Sequence, residues 1–251
     1  MKKLFLDIET APHSAFIWSL WTKYIAPDHI EIPGYTLCFA AKWEGEREIQ
    51  FYSIWGDGAR QMVQKANELL DDADAVVHYN GRKFDIPMLL TEILLMEMPP
   101  PSPFDQIDLY RTVRSSFRFP SNKLDYVCKR LGLGSKVSHR GMDLWVEAMQ
   151  GEDKACREMK RYNKQDVRLL PKLYKRLLPF INAHPNEGLH NDMDRPSCPK
   201  CGSTKLHRRG FAHTKTQRYA RYQCMSCYSW VRGRYTNLCR DAKQNILVVD
   251  R

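Results

Sequence analysis

The sequence predicts a layered α/β domain built on a mixed sheet, followed by a small C-terminal domain of a different kind. Three observations carry this expectation. Strand-like apolar runs come first in succession and then alternate with segments of helical periodicity, the order of a mixed sheet with helices packed on it. Residues 182–196 (NAHPNEGLHNDMDRP) have no periodicity and read as a linker. Beyond that point the charge changes: residues 196–251 hold twelve Lys+Arg against two Asp+Glu, whereas residues 1–195 hold 27 of each. The whole excess of +10 therefore lies on the tail, which points to a polyanionic partner.

A chain of 251 residues accommodates one full-sized domain, placed at residues 1–181, and a small one at 197–251. Residues 4–10 (LFLDIET) form the first strand, apolar on both parities like a central strand covered on both faces. Residues 11–33, rich in Trp, Tyr and Pro, are expected to be an irregular surface excursion near its acidic end. Residues 35–43 and 47–54 read as a hairpin closed by Glu44-Gly45-Glu46 and paired antiparallel with the first strand. Residues 59–70 place Met62, Val63, Ala66, Leu69 and Leu70 at helical spacing. A short buried strand at 75–79 and an apolar helix at 84–96 follow, stopped by Pro99-Pro100-Pro101. Residues 104–109 supply a last strand, and 122–131, 143–149 and 153–181 are helices, the last with a kink expected at Pro171.

The apolar stretch 86–98 contains Glu92 and Glu97 and is too short to span a bilayer. At the start, Asp7 and Glu9 interrupt the apolar run too early for a signal peptide. A soluble, cytoplasmic protein with no membrane partner is expected.

Successive strand side chains alternate faces, so Asp7 and Glu9 leave the same side while Leu6 and Ile8 point into the core. Two carboxylates so placed repel each other unless a cation lies between them. On its own the pair fits either a solvent-facing edge strand or a metal site. Asp85 follows Tyr79-Asn80-Gly81-Arg82-Lys83-Phe84 at the turn from a buried strand into a helix, where an acidic residue favours the helix dipole. Tyr162 and Asp166 stand four apart and share a helix face. Either feature alone is ordinary.

In combination the motifs Asp-x-Glu, Asn-x-x-x-Phe-Asp and Tyr-x-x-x-Asp, in that order, make residues 1–181 resemble the DEDD 3′→5′ exonucleases. That family has a ribonuclease H-like fold with a mixed five-stranded sheet and includes proofreading and RNA-trimming enzymes. Tyr162, with Arg161 where the sister subgroup has His, indicates the Tyr-type subgroup. The resemblance implies Asp7, Glu9, Asp85 and Asp166 as ligands of two Mg²⁺ or Mn²⁺ ions. Hard cations of this kind prefer oxygen donors, and a pair about 3.5–4 Å apart can activate water and neutralise charge in phosphodiester hydrolysis. Tyr162, with an ordinary pKa near ~10, is expected to orient the water rather than act as base. Asn80 is expected to hold the turn or touch the terminal nucleotide, Phe84 to lie in the core rather than act as a base-stacking wedge, and Asp105 and Asp108 to be structural, with Asp108 as a support for the metal ligands the alternative.

Cys198-Pro199-Lys200-Cys201 and Cys224-Met225-Ser226-Cys227 are two Cys-x-x-Cys pairs whose spacing points to one tetrahedral structural Zn²⁺. This arrangement resembles a zinc ribbon. Nothing in the sequence points to secretion, so disulfides are not expected; Cys38, Cys128, Cys156 and Cys239 have no ligand spacing. Around the knuckles, Arg208, Arg209, Arg218, Arg221 and Arg232 alternate with Trp230 and several tyrosines, a composition suited to phosphates and bases. The expected function is 3′→5′ hydrolysis of single-stranded DNA ends, with the ribbon assisting binding and a polymerase or other replication protein as a possible partner. An exonuclease-like domain followed by such a ribbon looks like bacteriophage proteins. The alternatives are an exoribonuclease trimming RNA ends, a non-catalytic nucleic-acid-binding protein on the same fold, and an endonuclease on branched DNA.

Overall fold

The computed structural model of the chain describes residues 1–190 and 194–248, which divide between two compact units, Lys2–Tyr174 and Lys175–Arg251 with Met1. In the first unit β1 (Lys3–Thr10) leads into a small ribbon of β2 (Ser14–Ala15) and β3 (Ile30–Ile32). Then come β4 (Thr36–Trp43), β5 (Gln50–Ser53), α1 (Ala59–Asp71), β6 (Ala75–His78), α2 (Asp85–Leu95) and β7 (Asp105–Asp108). Helices α3 (Leu109–Ser116), α4 (Leu124–Arg130), α5 (Met142–Met149) and α6 (Asp153–Leu177) complete it.

The strands form one mixed sheet in the order β5-β4-β1-β6-β7. β1 pairs antiparallel with β4 and parallel with β6, which makes it the central strand, as its two-sided apolar pattern requires. On one face Leu4, Leu6 and Ile8 pack with Met62, Val63 and Leu70 of α1 and with Ile86, Leu89 and Ile93 of α2. On the other, Phe5 meets Tyr174 of α6 edge-on at 5.7 Å, while Leu37 and Cys38 of β4 pack on Leu144 of α5 and Met159 of α6. Helices cover both faces, so Asp7 and Glu9, on the parity of Phe5, look towards α6. Full burial of each such side chain contributes about 1.5–3 kcal/mol.

Four details of the first unit depart from the sequence reading, the first being the β2–β3 ribbon within residues 11–33, expected to be irregular. The hairpin's second strand is shorter than residues 47–54. Helix α3 was not anticipated; it begins where Asp108 caps it, accepting the N–H groups of Tyr110 and Arg111. The last helix carries Pro171 inside it and runs on to Leu177, with a 3₁₀ turn at Leu178–Phe180 in place of its expected final residues. No described helix is long and apolar enough to cross a membrane.

In the second unit β8 (Leu206–His213), β9 (Arg218–Cys224) and β10 (Trp230–Thr236) form an antiparallel sheet in the order β10-β9-β8, followed by α7 (Arg240–Gln244). Part of the stretch expected as linker is ordered within this unit. A 3₁₀ turn at Glu187–Leu189 is capped by Asn186, and the Glu187 N–H donates to the Pro199 carbonyl at 2.8 Å. Residues 191–193 of that stretch and 249–251 of the tail lie outside the described residues.

Candidate active site

The parity of β1 and the arrival of α6 on the same side of the sheet assemble the carboxylates. Asp7, Glu9 and Asp166 each offer an oxygen within 4.8 Å of the others. Asp166 is only 1% exposed, and its Oδ1 is buried with no hydrogen-bond partner. Three converging acids, Asp166 buried and Asp7 and Glu9 half-buried, with one oxygen unsatisfied, make a donor set that fits a hard divalent cation. Asp85 opens α2 beside them, and its Oδ1 accepts the Ile8 N–H at 3.2 Å; it is not part of the three-carboxylate group.

The electrostatics follow from this crowding. Burial, and then the charges of Asp166, Asp85 and Glu9, hold the Asp7 carboxyl well above the usual range. Burial and Asp166 push Glu9 up to about 8, and burial raises Asp85 to about 6 despite the Ile8 N–H. Two residues that the motifs did not reveal moderate the repulsion. Lys136, from the loop after α4, forms an ion pair with Asp166 and donates to the Tyr162 hydroxyl at 3.2 Å. Burial alone would depress the ammonium, but the charges of Asp166 and Asp7 raise it. Asn163, fully buried, donates through Nδ2 to the Asp7 carbonyl at 3.1 Å and to Oδ2 at 2.8 Å, which fixes the carboxylate's rotamer.

Tyr162 is 7% exposed, and its ring is held edge-on by His139 at 5.1 Å and Trp145 at 6.0 Å. Burial raises its phenol to about 12, against the pull of Lys136, so the group stays protonated and is suited to hydrogen bonding. A cleft of about 670 Å³ is lined by Asp7, Lys136 and Tyr162 together with Tyr79, Asn80 and Tyr110.

Asn80 sits in the left-handed region at φ 70° and donates its N–H to Asp108 at 2.9 Å. Asp108 thus ties the turn to α3, a structural role. The next residue must be glycine, because a Cβ on Gly81 would lie 2.6 Å from the His78 ring, whose Nδ1 accepts the Gly81 N–H at 3.0 Å. Phe84, expected in the core, is 47% exposed. It precedes α2 as its N-cap and so stands outside the helix's apolar face.

In the second unit the sulfurs of Cys198, Cys201, Cys224 and Cys227 lie within 4.8 Å of one another, and none is in a disulfide. The two knuckles repeat one turn. Gly202 N–H donates to the Cys198 carbonyl at 2.8 Å and Tyr228 N–H to that of Cys224 at 2.9 Å, with positive φ at both donors. Burial would raise the Cys224 thiol, but backbone N–H groups of Cys227 and Ser226 bring it down to about 7. A four-sulfur set of this kind fits one structural zinc.

On the sheet beside it, Arg208 and Arg218 stack on Phe211, Arg221 on Trp230, and Arg232 on Tyr219. Arg208, Arg209, Arg221, Trp230 and Arg232 are exposed, whereas Arg218 is half-buried. Arg221 and Arg232 face each other across β9 and β10, an arrangement that repels unless an anion covers it.

Residues 4–178 match the family model of the RNase H superfamily. In structure, 71% of the chain aligns with a family B DNA polymerase from the hyperthermophilic archaeon Pyrobaculum calidifontis, at a TM-score of 0.55 and 19% sequence identity. The alignment covers 24% of that polymerase, so the chain spans about a quarter of its length. No curated protein matches the sequence.

Proposed function

Given that the chain belongs to the RNase H superfamily, we propose that it is a metal-dependent 3′→5′ exonuclease of the DEDD Tyr type, acting on single-stranded ends of DNA. One observation carries the reading: Asp7, Glu9 and Asp166, drawn from β1 and α6, converge within 4.8 Å in a place where their charges repel. Such an arrangement is costly in isolation, and bound cations offset the cost that Lys136 and Asn163 leave. Asp7, Glu9, Asp85 and Asp166 would hold two Mg²⁺ or Mn²⁺ ions, which supply charge neutralisation and acidify the attacking water.

The chain's own groups do the rest. Asn163 fixes the Asp7 carboxylate, and the Tyr162 hydroxyl, braced by His139 and Trp145, orients the attacking water. Lys136 offsets carboxylate charge beside the scissile phosphate. The four cysteines would hold one structural Zn²⁺, and the arginines of the ribbon would grip the strand. DNA is named in keeping with the polymerase whose fold part of this chain shares. The setting we propose is the cytoplasm of a bacterial or phage-infected cell, with a replication protein as partner.

The test is digestion of end-labelled single-stranded DNA, duplex DNA and RNA with Mg²⁺ or Mn²⁺ and with EDTA. Metal-dependent, stepwise shortening of single-stranded DNA from its 3′ end is expected. Cutting of RNA alone, or internal cutting, would replace the reading.

A further inference from the structure

A second cleft of about 670 Å³ adjoins the first, and Asn80 and Tyr110 line both. Its walls carry Arg82 and Lys83 from the turn before α2 and Arg111 and Arg114 from one face of α3. All four side chains are exposed, and none forms an ion pair among the described residues. The only carboxylate in the wall is Asp108, which is 7% exposed and whose Oδ1 accepts N–H groups from Asn80 at 2.9 Å and Tyr110 at 3.0 Å. That carboxylate therefore fastens the turn to the helix and sets the two basic pairs on one cleft.

We infer that this cleft is a phosphate track that seats the sugar–phosphate backbone of the strand whose end lies in the carboxylate cleft. The inference rests on the reading of that cleft as the place of cleavage. Unpaired cations gathered in one concavity repel each other, and a polyanion offsets the repulsion. A strand lying across Asn80 and Tyr110 would pass continuously from the carboxylates to the cations. The track belongs to the first unit, whose charges sum to near neutrality in the sequence, so the local field here comes from arrangement rather than from net charge.

The experiment is fluorescence anisotropy of a labelled single-stranded DNA oligonucleotide in EDTA, over a series of salt concentrations, with the full chain. Each phosphate neutralised on a single strand contributes about −0.7 to the slope of log affinity against log salt. The Arg82→Ala, Arg111→Ala, Arg114→Ala variant should therefore bind with a slope shallower by about 2 and, at 0.1 M salt, about 100-fold more weakly. Replacing the same three by Lys should keep the slope, since charge is retained. Arg161→Ala with Arg168→Ala, on exposed positions of α6, is the control for loss of charge elsewhere and should change the slope far less. An unchanged slope in the triple alanine variant, or equal losses in the control, overturns the track. Binding in EDTA requires no hydrolysis, so the two readings fail separately. A track-dependent slope without cleavage removes the nuclease reading alone, and cleavage with an unchanged slope removes the track alone.

Discussion

Replacing Lys136 by Met tests whether its ammonium holds the carboxylate cluster together when no metal is bound. Two unit charges at the 4.8 Å limit of this cluster interact by about 3–4 kcal/mol at an effective dielectric constant of 20. Asp7, Glu9 and Asp166 form three such repulsive pairs, relieved in part because Glu9 takes up a proton near pH 8. Lys136 opposes the remainder through its ion pair with Asp166. Breaking a buried pair from one side costs about 3–5 kcal/mol. Lys136 is 27% exposed, so solvent screens part of this, and about 2–3 kcal/mol is the expected loss. Urea denaturation in EDTA measures it. Saturating Mg²⁺ should narrow the gap from the parent protein, because without the competing Lys136 ammonium the carboxylates bind the cation more tightly, and stabilisation by a ligand grows with its affinity. A Lys136→Met protein as stable as its parent in EDTA would show that the ammonium is not the counter-charge described.

Buried His78, pushed down to about 4 by burial against the opposing effect of Asp108, takes up its proton in the unfolded state near the ordinary value of 6.5 and only below that in the folded state. His78 should therefore contribute a loss of about 3 kcal/mol as pH drops from 6.5 towards 4, opposed by the raised carboxyls of Asp7, Glu9 and Asp85, so it is read as the pH-dependent difference between the parent and His78→Asn. Tyr162→Phe should slow single-turnover cleavage by about 10²–10³, less than loss of Asp166; equal losses would give the phenol a larger part. Cys224→Ser should lower zinc content by elemental analysis from one per chain to well below it, and unchanged zinc would remove Cys224 from the site.

Much of the carboxylate cluster was legible because local rules act on it. Strand parity put Asp7 and Glu9 on one face, and helical spacing put Tyr162 and Asp166 on another; the structure brings Asp7, Glu9 and Asp166 together. The remaining contributors had no such signal. Lys136 stands in an aperiodic loop, and Asn163 is adjacent in sequence to Tyr162 with nothing to mark it as the residue that grips Asp7. Helix α3 escaped notice because its buried side is only Leu109, Thr112 and Val113, little more than one turn of apolar pattern. With it went the basic cleft, whose cations lie about thirty positions apart and meet only through the pairing of β6 with β7. Phe84 departs from the expected core because it precedes α2 with a non-helical backbone, so the apolar periodicity of the helix does not govern which way its ring faces.

If the carboxylate cluster hydrolyses a nucleic-acid strand from its 3′ end, as proposed, cleavage cannot survive the loss of Asp7 or Asp166. The most direct measurement compares the parent with Asp7→Ala and Asp166→Ala, each purified free of host nuclease, on single-stranded DNA labelled at the 5′ end, with Mn²⁺ present. The parent should give a ladder shortening one nucleotide at a time, and either variant should leave the strand intact while DNA binding persists. Degradation by Asp7→Ala at the parent's rate would contradict hydrolysis by this cluster.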